Sequence, residues 1–259
     1  MANAPTITDR PGPVHVGIGG WDYDPWRGTF YPPSLPRSKQ LEYASRRVTA
    51  IEINATFYKL HKPELYARWA AAVPEGFKFA LKGSRFCINR KVLGEAGEAV
   101  ARFCGQGLAE LGDRLGPILW QFAETKSFDP DDIRAFLALL PRAEAGVPLR
   151  HALEPRHESF LDPLFVELAR EAGVAVSFAD APGLPVIDGP AATFAYARLK
   201  GMREEEPEGY PAAALDLWAE QARGWAQGGR EVFVFMINGA KLRAPAAAQG
   251  LLARFSSGE

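Results

Sequence analysis

Short apolar runs alternate along the chain with longer amphipathic stretches. The runs are rich in Val, Ile and Phe, and nearly continuous apolar runs are typical of parallel strands buried on both faces. The stretches between them repeat apolar residues at helical spacing, and several begin with Asp or Pro and end with Gly. The predicted strands are 14–19, 49–54, 77–82, 117–122, 149–154, 174–179, 193–199 and 231–238, and predicted helices include 62–73, 129–140, 162–173 and 211–229.

The order and number of these elements predict an α/β fold, a TIM-type (β/α)8 barrel. Eight strand–helix units suit the length of 259 residues, since barrels of this type need about 250. The sixth unit departs from the pattern, because the stretch "DAPGLPVIDGPAA" is too rich in Pro and Gly for a regular helix. We therefore predict that the sixth helix is missing or irregular. An open doubly wound sheet is the alternative, but no G-x-G-x-x-G follows the first strand to favour it.

The N-terminus, the apolar runs and the cysteines of the chain bear on its cellular location. We predict a flexible N-terminal segment, residues 1–13, followed by a single TIM-barrel domain over residues 14–259. The N-terminus lacks a cationic stretch followed by an apolar core, and no run approaches eighteen apolar residues. Cys87 and Cys104 have neither metal-site nor disulfide-framework spacing. These features predict a cytoplasmic protein with no membrane segment.

The net charge of the chain bears on which binding partners are expected. Thirty basic residues against 31 acidic ones give a net charge of -1, so no overall field would collect the molecule onto DNA, RNA or an anionic membrane. Nucleic acid is therefore not the favoured partner, although a local basic pocket remains compatible with this balance.

Polar side chains stand at the carboxyl ends of the predicted strands, which surround the active site in a TIM barrel. Residues two apart in a strand share a face, so three pairs would converge on one mouth if that face is the interior. The pairs are Glu52 with Asn54, Glu154 with Arg156, and Arg198 with Lys200. Four other strand ends contribute Lys82, Gln121, Asp180 and Asn238.

The two glutamates are the candidate catalytic residues. Glu52 and Glu154 could form a carboxylate pair for general acid/base or glycosidic chemistry. The structural alternative is that nearby cations neutralise both of them as buried ion pairs across the mouth. The cations Lys82, Arg156, Arg198 and Lys200 outnumber Glu52, Glu154 and Asp180, which predicts a small anionic ligand such as a phosphate, a carboxylate or a nucleotide.

The sequence leaves three other kinds of chemistry possible at the barrel mouth. His157 with the carboxylates of Glu52, Glu154 and Asp180 could assemble a divalent metal site, but with only four histidines we predict no cofactor. Lys82 as a Schiff-base lysine is a further alternative. Aromatic rings could stack on a sugar or a base, and the candidates for ligand contact are Trp26, Tyr31 and Tyr58.

Six short motifs follow one another along the chain, and they are "GGWDYDPWRGTFYP", "IEINATFY", "FKFALKGSR", "GPILWQF", "ALEPRHESF" and "FAYARLKG". In this order they make the chain similar to the DUF72 family, also called YecE-like proteins. The resemblance implies a TIM-type barrel and supplies no reaction. The chain departs from the family pattern at Ile88–Arg90, where a threonine–histidine pair is frequent, and at Lys200, where a histidine is frequent. It also reads "MINGAK" near the last strand end, where a pair of asparagines is frequent.

Together these features predict an enzyme that acts at the barrel mouth on a small anionic or polyhydroxylated substrate. A phosphosugar, a nucleotide or a sugar would fit, with acid/base or hydrolytic chemistry by Glu52 and Glu154 and electrostatic clamping by Arg198, Arg156 and Lys82. The alternative is a protein that binds a ligand or nucleic acid without catalysis.

Overall fold

Parallel strands and their connecting helices make up the computed structural model, which describes residues 10–181, 183–187, 192–237 and 239–256. Its strands are β1 (Val14–Gly19), β2 (Ala50–Ile53), β3 (Lys78–Lys82), β4 (Leu115–Gln121), β5 (Ala143–Glu144), β6 (Val147–Pro148), β7 (His151–Glu154), β8 (Ala175–Val176), β9 (Phe178–Asp180), β10 (Phe194–Leu199) and β11 (Glu231–Met236). Its α-helices are α1 (Gln40–Ala44), α2 (Ala55–Tyr58), α3 (Pro63–Ala72), α4 (Arg85–Ile88), α5 (Gly97–Cys104), α6 (Pro130–Leu139), α7 (Pro163–Ala172), α8 (Ala212–Ala226) and α9 (Ala244–Ser256).

The main sheet curls into a barrel. Its strand order is β8-β7-β4-β3-β2-β1-β11-β10-β9, and every neighbouring pair is parallel. The two ends of this order, β8 and β9, are consecutive pieces of one run that is interrupted only at Ser177. Since β8 pairs with β7 and β9 pairs with β10, that run joins both edges of the sheet. The predicted TIM-type barrel is confirmed.

The sixth unit is the irregular part of the barrel. The single strand predicted over 174–179 is split, and the N–H of Ser177 donates to the carbonyl of Leu153 at 2.8 Å between the two pieces. Between β9 and β10 the structure describes residues 181, 183–187 and 192–193, and none of these is helical. The antiparallel hairpin of β5 and β6 and the C-terminal helix α9 were not among the predicted elements.

The N-terminal segment predicted to be flexible lies partly outside the described residues, which begin at Arg10. The N–H of Gly12 donates to the carbonyl of Ala226 at 2.8 Å, and the carbonyl of Pro13 accepts from the N–H of Val232 at 2.9 Å. These bonds hold residues 12 and 13 against α8 and β11. The division of the chain at residue 13 stays a prediction.

Capping residues set the ends of the outer helices. The Asp129 side chain accepts from the N–H groups of Asp131 and Asp132 at the start of α6, and the Asp162 side chain accepts from Leu164 N–H at the start of α7. Each such cap stabilises its helix by about 1 kcal/mol. No helix in the described ranges is long and apolar enough to cross a membrane.

The barrel interior has its own apolar layer, separate from the core between sheet and helices. Small side chains on β2, β3, β7 and β8 face large rings on β10 and β11 across this interior, and the residues are Ala50, Ala80, Ala152, Ala175, Phe194, Tyr196, Phe233 and Phe235. Gly17 on β1 fits the same space, since a Cβ there would lie 2.2 Å from the Ala50 carbonyl oxygen. Because strand residues alternate between faces, the next interior positions toward the carboxyl end are Glu52, Glu154 and Arg198.

Candidate functional site

Three charged side chains form the floor of the barrel mouth. Glu52 on β2, Glu154 on β7 and Arg198 on β10 each stand two residues beyond an apolar interior residue, at the carboxyl end of the strand. Glu52 and Glu154 have no exposed surface, and Arg198 is 2% exposed. The structure therefore brings together three predicted site residues from separate parts of the chain.

Arg198 bridges the two carboxylates. Its Nε and Nη2 donate to Oε2 and Oε1 of Glu52, both at 3.0 Å, and its Nη1 donates to Oε2 of Glu154 at 2.5 Å. The Tyr196 hydroxyl donates to Glu52 Oε2 at 2.8 Å. Burial works against the charged guanidinium, but the charges of Glu154 and Glu52 outweigh it and raise the pKa of Arg198.

Glu154 is saturated with donors. Its Oε1 accepts from Gln121 Nε2 at 2.7 Å, Lys200 Nζ at 2.9 Å and Arg156 Nε at 3.2 Å. Burial would raise the pKa of this carboxyl, but the charges of Arg198 and Lys200 hold it well below its usual range. Glu154 is therefore an ionised carboxylate at neutral pH, with no surface from which to exchange a proton with a ligand.

The two lysines of the mouth have different surroundings. Lys200 Nζ is ion-paired to Glu154, whereas Lys82 Nζ lies 4.3 Å from the centroid of the Phe57 ring. Among the described residues, no carboxylate stands within ion-pair distance of Lys82. Burial, with the charge of Arg198 as the next cause, lowers the pKa of Lys82 to about 8, against partial opposition from Glu52. Burial also lowers the pKa of Lys200, although the charge of Glu154 opposes that shift.

The rim of the mouth is more open. Arg156 donates from Nη1 to Glu124 Oε1 at 3.3 Å as well as to Glu154. Tyr58, at the end of α2, is 59% exposed, and Asn54 at the start of the same helix is half-buried. Asn238, the residue predicted at the end of the last strand, lies outside the described residues.

Two predicted aromatic contacts are absent from the mouth. Trp26 and Tyr31 are 0% and 1% exposed, so neither ring has a face available to a ligand. Trp26 Nε1 donates to the Lys241 carbonyl at 2.9 Å, and the Tyr31 hydroxyl donates to the Trp21 carbonyl at 2.6 Å. The loop after β1 folds its aromatic residues into the core, where their polar atoms find backbone partners. The prediction that Trp26 and Tyr31 contact the ligand is therefore wrong, because both rings are buried in the core.

His157 and Asp180 have local partners of their own. His157 Nδ1 lies 2.8 Å from Ser159 Oγ and accepts from Ser159 N–H, which caps the 3-10 helix Glu158–Leu161. Asp180 Oδ2 accepts from the Tyr210 hydroxyl at 2.9 Å and lines a groove of about 700 Å³ along α8. The described residues include no group of three or more His, Cys, Asp or Glu placed to hold a metal ion.

Tyr196 is the site residue that sequence reasoning missed. Its hydroxyl is bound to Glu52 deep in the mouth. The signal that could have found it is its spacing, since a residue two positions before Arg198 in a strand points to the same face.

Comparisons with known proteins agree with the barrel and its motifs. The sequence profile of the family described as "Protein of unknown function DUF72" matches residues 15–259. UPF0759 protein YecE of Escherichia coli (strain K12) is 28% identical over 142 residues, which cover 53% of this chain and 48% of YecE. UPF0759 protein YunF of Bacillus subtilis (strain 168) is 24% identical over 160 residues, 60% of this chain and 54% of YunF. The matched segment spans about half the length of these curated relatives.

A solved structure extends the likeness to the whole fold. A DUF72 family protein from Thermotoga maritima MSB8 superposes with a TM-score of 0.74 at 23% identity, covering 95% of this chain and 99% of that one. At that identity the likeness concerns the fold. The profile match over nearly the full length goes further and shows that this chain belongs to the DUF72 family.

Proposed function

We propose that the protein is an enzyme that binds a small anionic substrate at the carboxyl end of its barrel. The observation that carries the proposal is an excess of positive charge over the carboxylates of the mouth. Among the described residues, three carboxylates, the buried Glu52 and Glu154 and the exposed Glu124, face four cationic side chains, which are Lys82, Arg156, Arg198 and Lys200. Lys82 is the cation for which the described residues supply an aromatic ring and no carboxylate.

An anionic group of the substrate would complete this arrangement. A phosphate or carboxylate group beside Lys82, Lys200 and Arg156 would receive charge-assisted hydrogen bonds, which are shorter and roughly twice as strong as neutral ones. Asn54 and Gln121 add amide groups that suit hydroxyl groups of the same ligand. A phosphosugar or a nucleotide therefore fits this site better than a neutral sugar.

The geometry supports a division of roles different from the one expected from sequence. Glu52 and Glu154 position Arg198 and Lys200, since both carboxylates are fully buried and each already accepts several hydrogen bonds. Lys82 is the group suited to proton transfer, because its pKa of about 8 lies near neutrality. Acid/base chemistry would then use the amine of Lys82.

Ligand-dependent stabilisation tests the anion site. Thermal unfolding of the full chain would be followed with inorganic phosphate, phosphosugars, nucleotides and neutral sugars at equal concentrations. A ligand at a hundred times its Kd stabilises the fold by about 2.7 kcal/mol. We expect the anions to raise Tm, less so at high salt, and Lys82→Met to weaken phosphate binding at least about tenfold.

Lys78→Met is the matched control, because Lys78 begins the same strand at the opposite end of the barrel and donates to the Asp113 carbonyl. It should leave phosphate binding unchanged. Stabilisation by neutral sugars alone, or equal losses in the two variants, would contradict the proposal.

One observation favours a second candidate, a protein that binds the anion without turning it over. Both buried carboxylates already have cationic partners, as in a site built for recognition alone. The two candidates differ in turnover. An enzyme should convert a stabilising ligand at a rate that falls in Lys82→Arg, whereas a binding protein should hold every such ligand unchanged.

A further inference from the structure

Lys82 occupies a rigid position at the base of the mouth. It is the last residue of β3, and its carbonyl accepts from the Thr56 hydroxyl at 2.7 Å. The next N–H, that of Gly83, donates to the Leu119 carbonyl at 2.8 Å. Because Ala80 pairs in register with Glu52, Lys82 lies one interior layer above that carboxylate. These backbone hydrogen bonds therefore fix the position from which the Lys82 side chain extends into the mouth.

The side chain of Lys82 ends in surroundings that suit a neutral amine. The Phe57 ring covers one side, 4.3 Å away, and the side chain is half-buried. The amine faces positive charge from Arg198 on β10 and from Arg156 beyond β7, with Glu52 and Glu154 below it. Both carboxylates are already bound to Arg198.

This environment has a chemical consequence. With its pKa lowered to about 8 by burial and then by Arg198, roughly a tenth of the Lys82 amine is neutral near pH 7, against less than roughly one part in a thousand for an ordinary lysine. The neutral amine is the nucleophile in additions to carbonyl carbon, and burial beside another cation is an established way to activate it.

We propose that Lys82 forms an imine with a small carbonyl compound that also carries a carboxylate or a phosphate group. The inference rests on the proposed anion site, since Lys200 and Arg156 would hold the anionic group while the carbonyl carbon meets Lys82 Nζ. Of the two lysines at the mouth, Lys200 is held by Glu154 and Lys82 is the one directed at an aromatic face.

The step balances without an oxidant or a reductant. The neutral amine adds to the carbonyl carbon, and a proton moves from nitrogen to oxygen to give a carbinolamine. A proton from solvent then allows the hydroxyl group to leave as water with its bonding electron pair. One amine, one carbonyl and one proton become one iminium ion and one water. The iminium keeps the charge of a protonated lysine, so Glu52 and Glu154 continue to face a cation.

Reductive trapping tests the imine directly. The full chain would be incubated with pyruvate or glycolaldehyde phosphate and sodium cyanoborohydride, which reduces an imine to a stable secondary amine, and then mapped by peptide mass spectrometry. We expect one dominant adduct, on Lys82, formed at least about tenfold faster than on any exposed lysine. Its rate should rise with pH up to about 8, and inorganic phosphate should protect against it.

Two charge-preserving variants sharpen the result. Lys82→Arg should abolish the adduct and retain the rise in Tm with inorganic phosphate, because the positive charge remains. Lys78→Arg, at the other end of β3, should behave like the unmodified chain. The map of the unmodified chain locates the adduct without any substitution, so the decision does not depend on how a variant folds.

The possible outcomes separate this inference from the proposed function. If phosphate raises Tm but adducts are missing or spread over surface lysines, the imine is overturned and the anion site stands. If neither phosphate stabilisation nor a Lys82 adduct is found, both are overturned. A dominant, phosphate-protected adduct on Lys82 supports both.

Discussion

The barrel has an ionic network at each end, half-buried at the amino end and buried at the carboxyl end, and the two networks differ in the balance of their charges. At the amino end, Arg150 pairs with Glu231, the first residue of β11, and His15 Nε2 lies 2.8 Å from the same carboxylate. The Arg150 guanidinium lies over the Phe233 and Phe194 rings, 5.1 and 5.4 Å from their centroids. The Glu231 carboxylate and the Arg150 guanidinium neutralise each other beside these aromatic rings. Such a balanced pair is expected of a network that only stabilises the fold.

The carboxyl end has the same kinds of groups in a different proportion. Among the described residues, two buried carboxylates and the exposed Glu124 face four cationic side chains there, and Lys82 meets an aromatic ring instead of a carboxylate. Ionic contacts alone therefore do not distinguish a site from a structural network. The distinguishing feature is Lys82, a cation that has no carboxylate within ion-pair distance among the described residues.

Removing the central arginine of each network should have the largest effect on stability. Arg198→Met leaves two fully buried carboxylates facing each other, and breaking a buried pair costs about 3–5 kcal/mol. Arg150→Met should cost less, about 1–2 kcal/mol, because the side chains of Arg150 and Glu231 are 27% and 21% exposed. Urea unfolding measures both free energies. Equal losses would show that the two networks are energetically alike.

Acid should weaken both ends, with the sign set by depressed carboxyl pKa values. Burial would raise the pKa of Glu231, but His15 and Arg150 lower it to about 2. A carboxyl whose folded pKa is depressed stabilises the fold fully above its unfolded pKa of about 4.3, and this contribution is lost as pH falls toward the folded value. Glu231 alone should contribute about 3 kcal/mol, lost between about pH 5 and pH 2.

The measurement is the free energy of unfolding as a function of pH for the unmodified chain and for Glu231→Gln. The variant should be less stable at pH 7 and should lose less stability on acidification. Since Glu154 also has a depressed pKa, a residual acid-dependent loss should persist in the variant. An identical pH profile in the two proteins would contradict the role of Glu231.

The sequence predicted the positions of the charged groups better than their partners. Period-two alternation placed Glu52, Glu154 and Arg198 on the interior face at strand ends, and the structure has them there. It did not predict that Trp26 turns into the core, because an aromatic residue after a strand can pack inward or face the mouth equally well. Asp180 joined Tyr210 instead of the mouth in the unit where the strand splits at Ser177.

The sequence pattern could not predict which cation pairs with which carboxylate, and the reason is physical. Several cations and an amide group donate to the same carboxylate of Glu154, and the spacing of these residues along the sequence does not tell which donors will contact it. Lys200 reaches Glu154 at 2.9 Å, whereas Lys82, with the same side chain, ends over Phe57. Only the three-dimensional arrangement separates a lysine that is neutralised from one that is not.

Removing the charge of Lys82, which has no ion-pair partner among the described residues, should stabilise the protein while it weakens ligand binding. The folded state disfavours protonated Lys82, whose pKa is lowered to about 8 from 10.5. Between these two values the unfolded chain binds the extra proton, so stability rises with pH there and the charge is destabilising below about pH 8. Lys82→Met should raise the free energy of unfolding by about 1–3 kcal/mol at pH 7 and flatten that rise.

The matched substitution Lys78→Met should produce neither change, because Lys78 lies at the amino end of β3 with its amine on the Asp113 carbonyl. A loss of stability in Lys82→Met would show that this lysine is a structural cation like Arg150. Stabilisation together with weaker phosphate binding would mark the mouth as a site that trades stability for function.

The smallest effect is expected at the rim, where Arg156→Gln reduces the positive excess of the mouth by one charge. Arg156 contacts Glu154 at 3.2 Å and the exposed Glu124 at 3.3 Å, and its side chain is 22% exposed. Its removal should change stability by less than about 1 kcal/mol and weaken inorganic phosphate binding about two- to fivefold, with a shallower dependence on salt.

Arg134→Gln on α6 is the control, since Arg134 forms an exposed pair with Asp131 away from the mouth. If both variants bind phosphate as the unmodified chain does, the charge excess at the carboxyl end extends no further than Lys82 and Lys200, and the difference between the two barrel ends rests on those lysines.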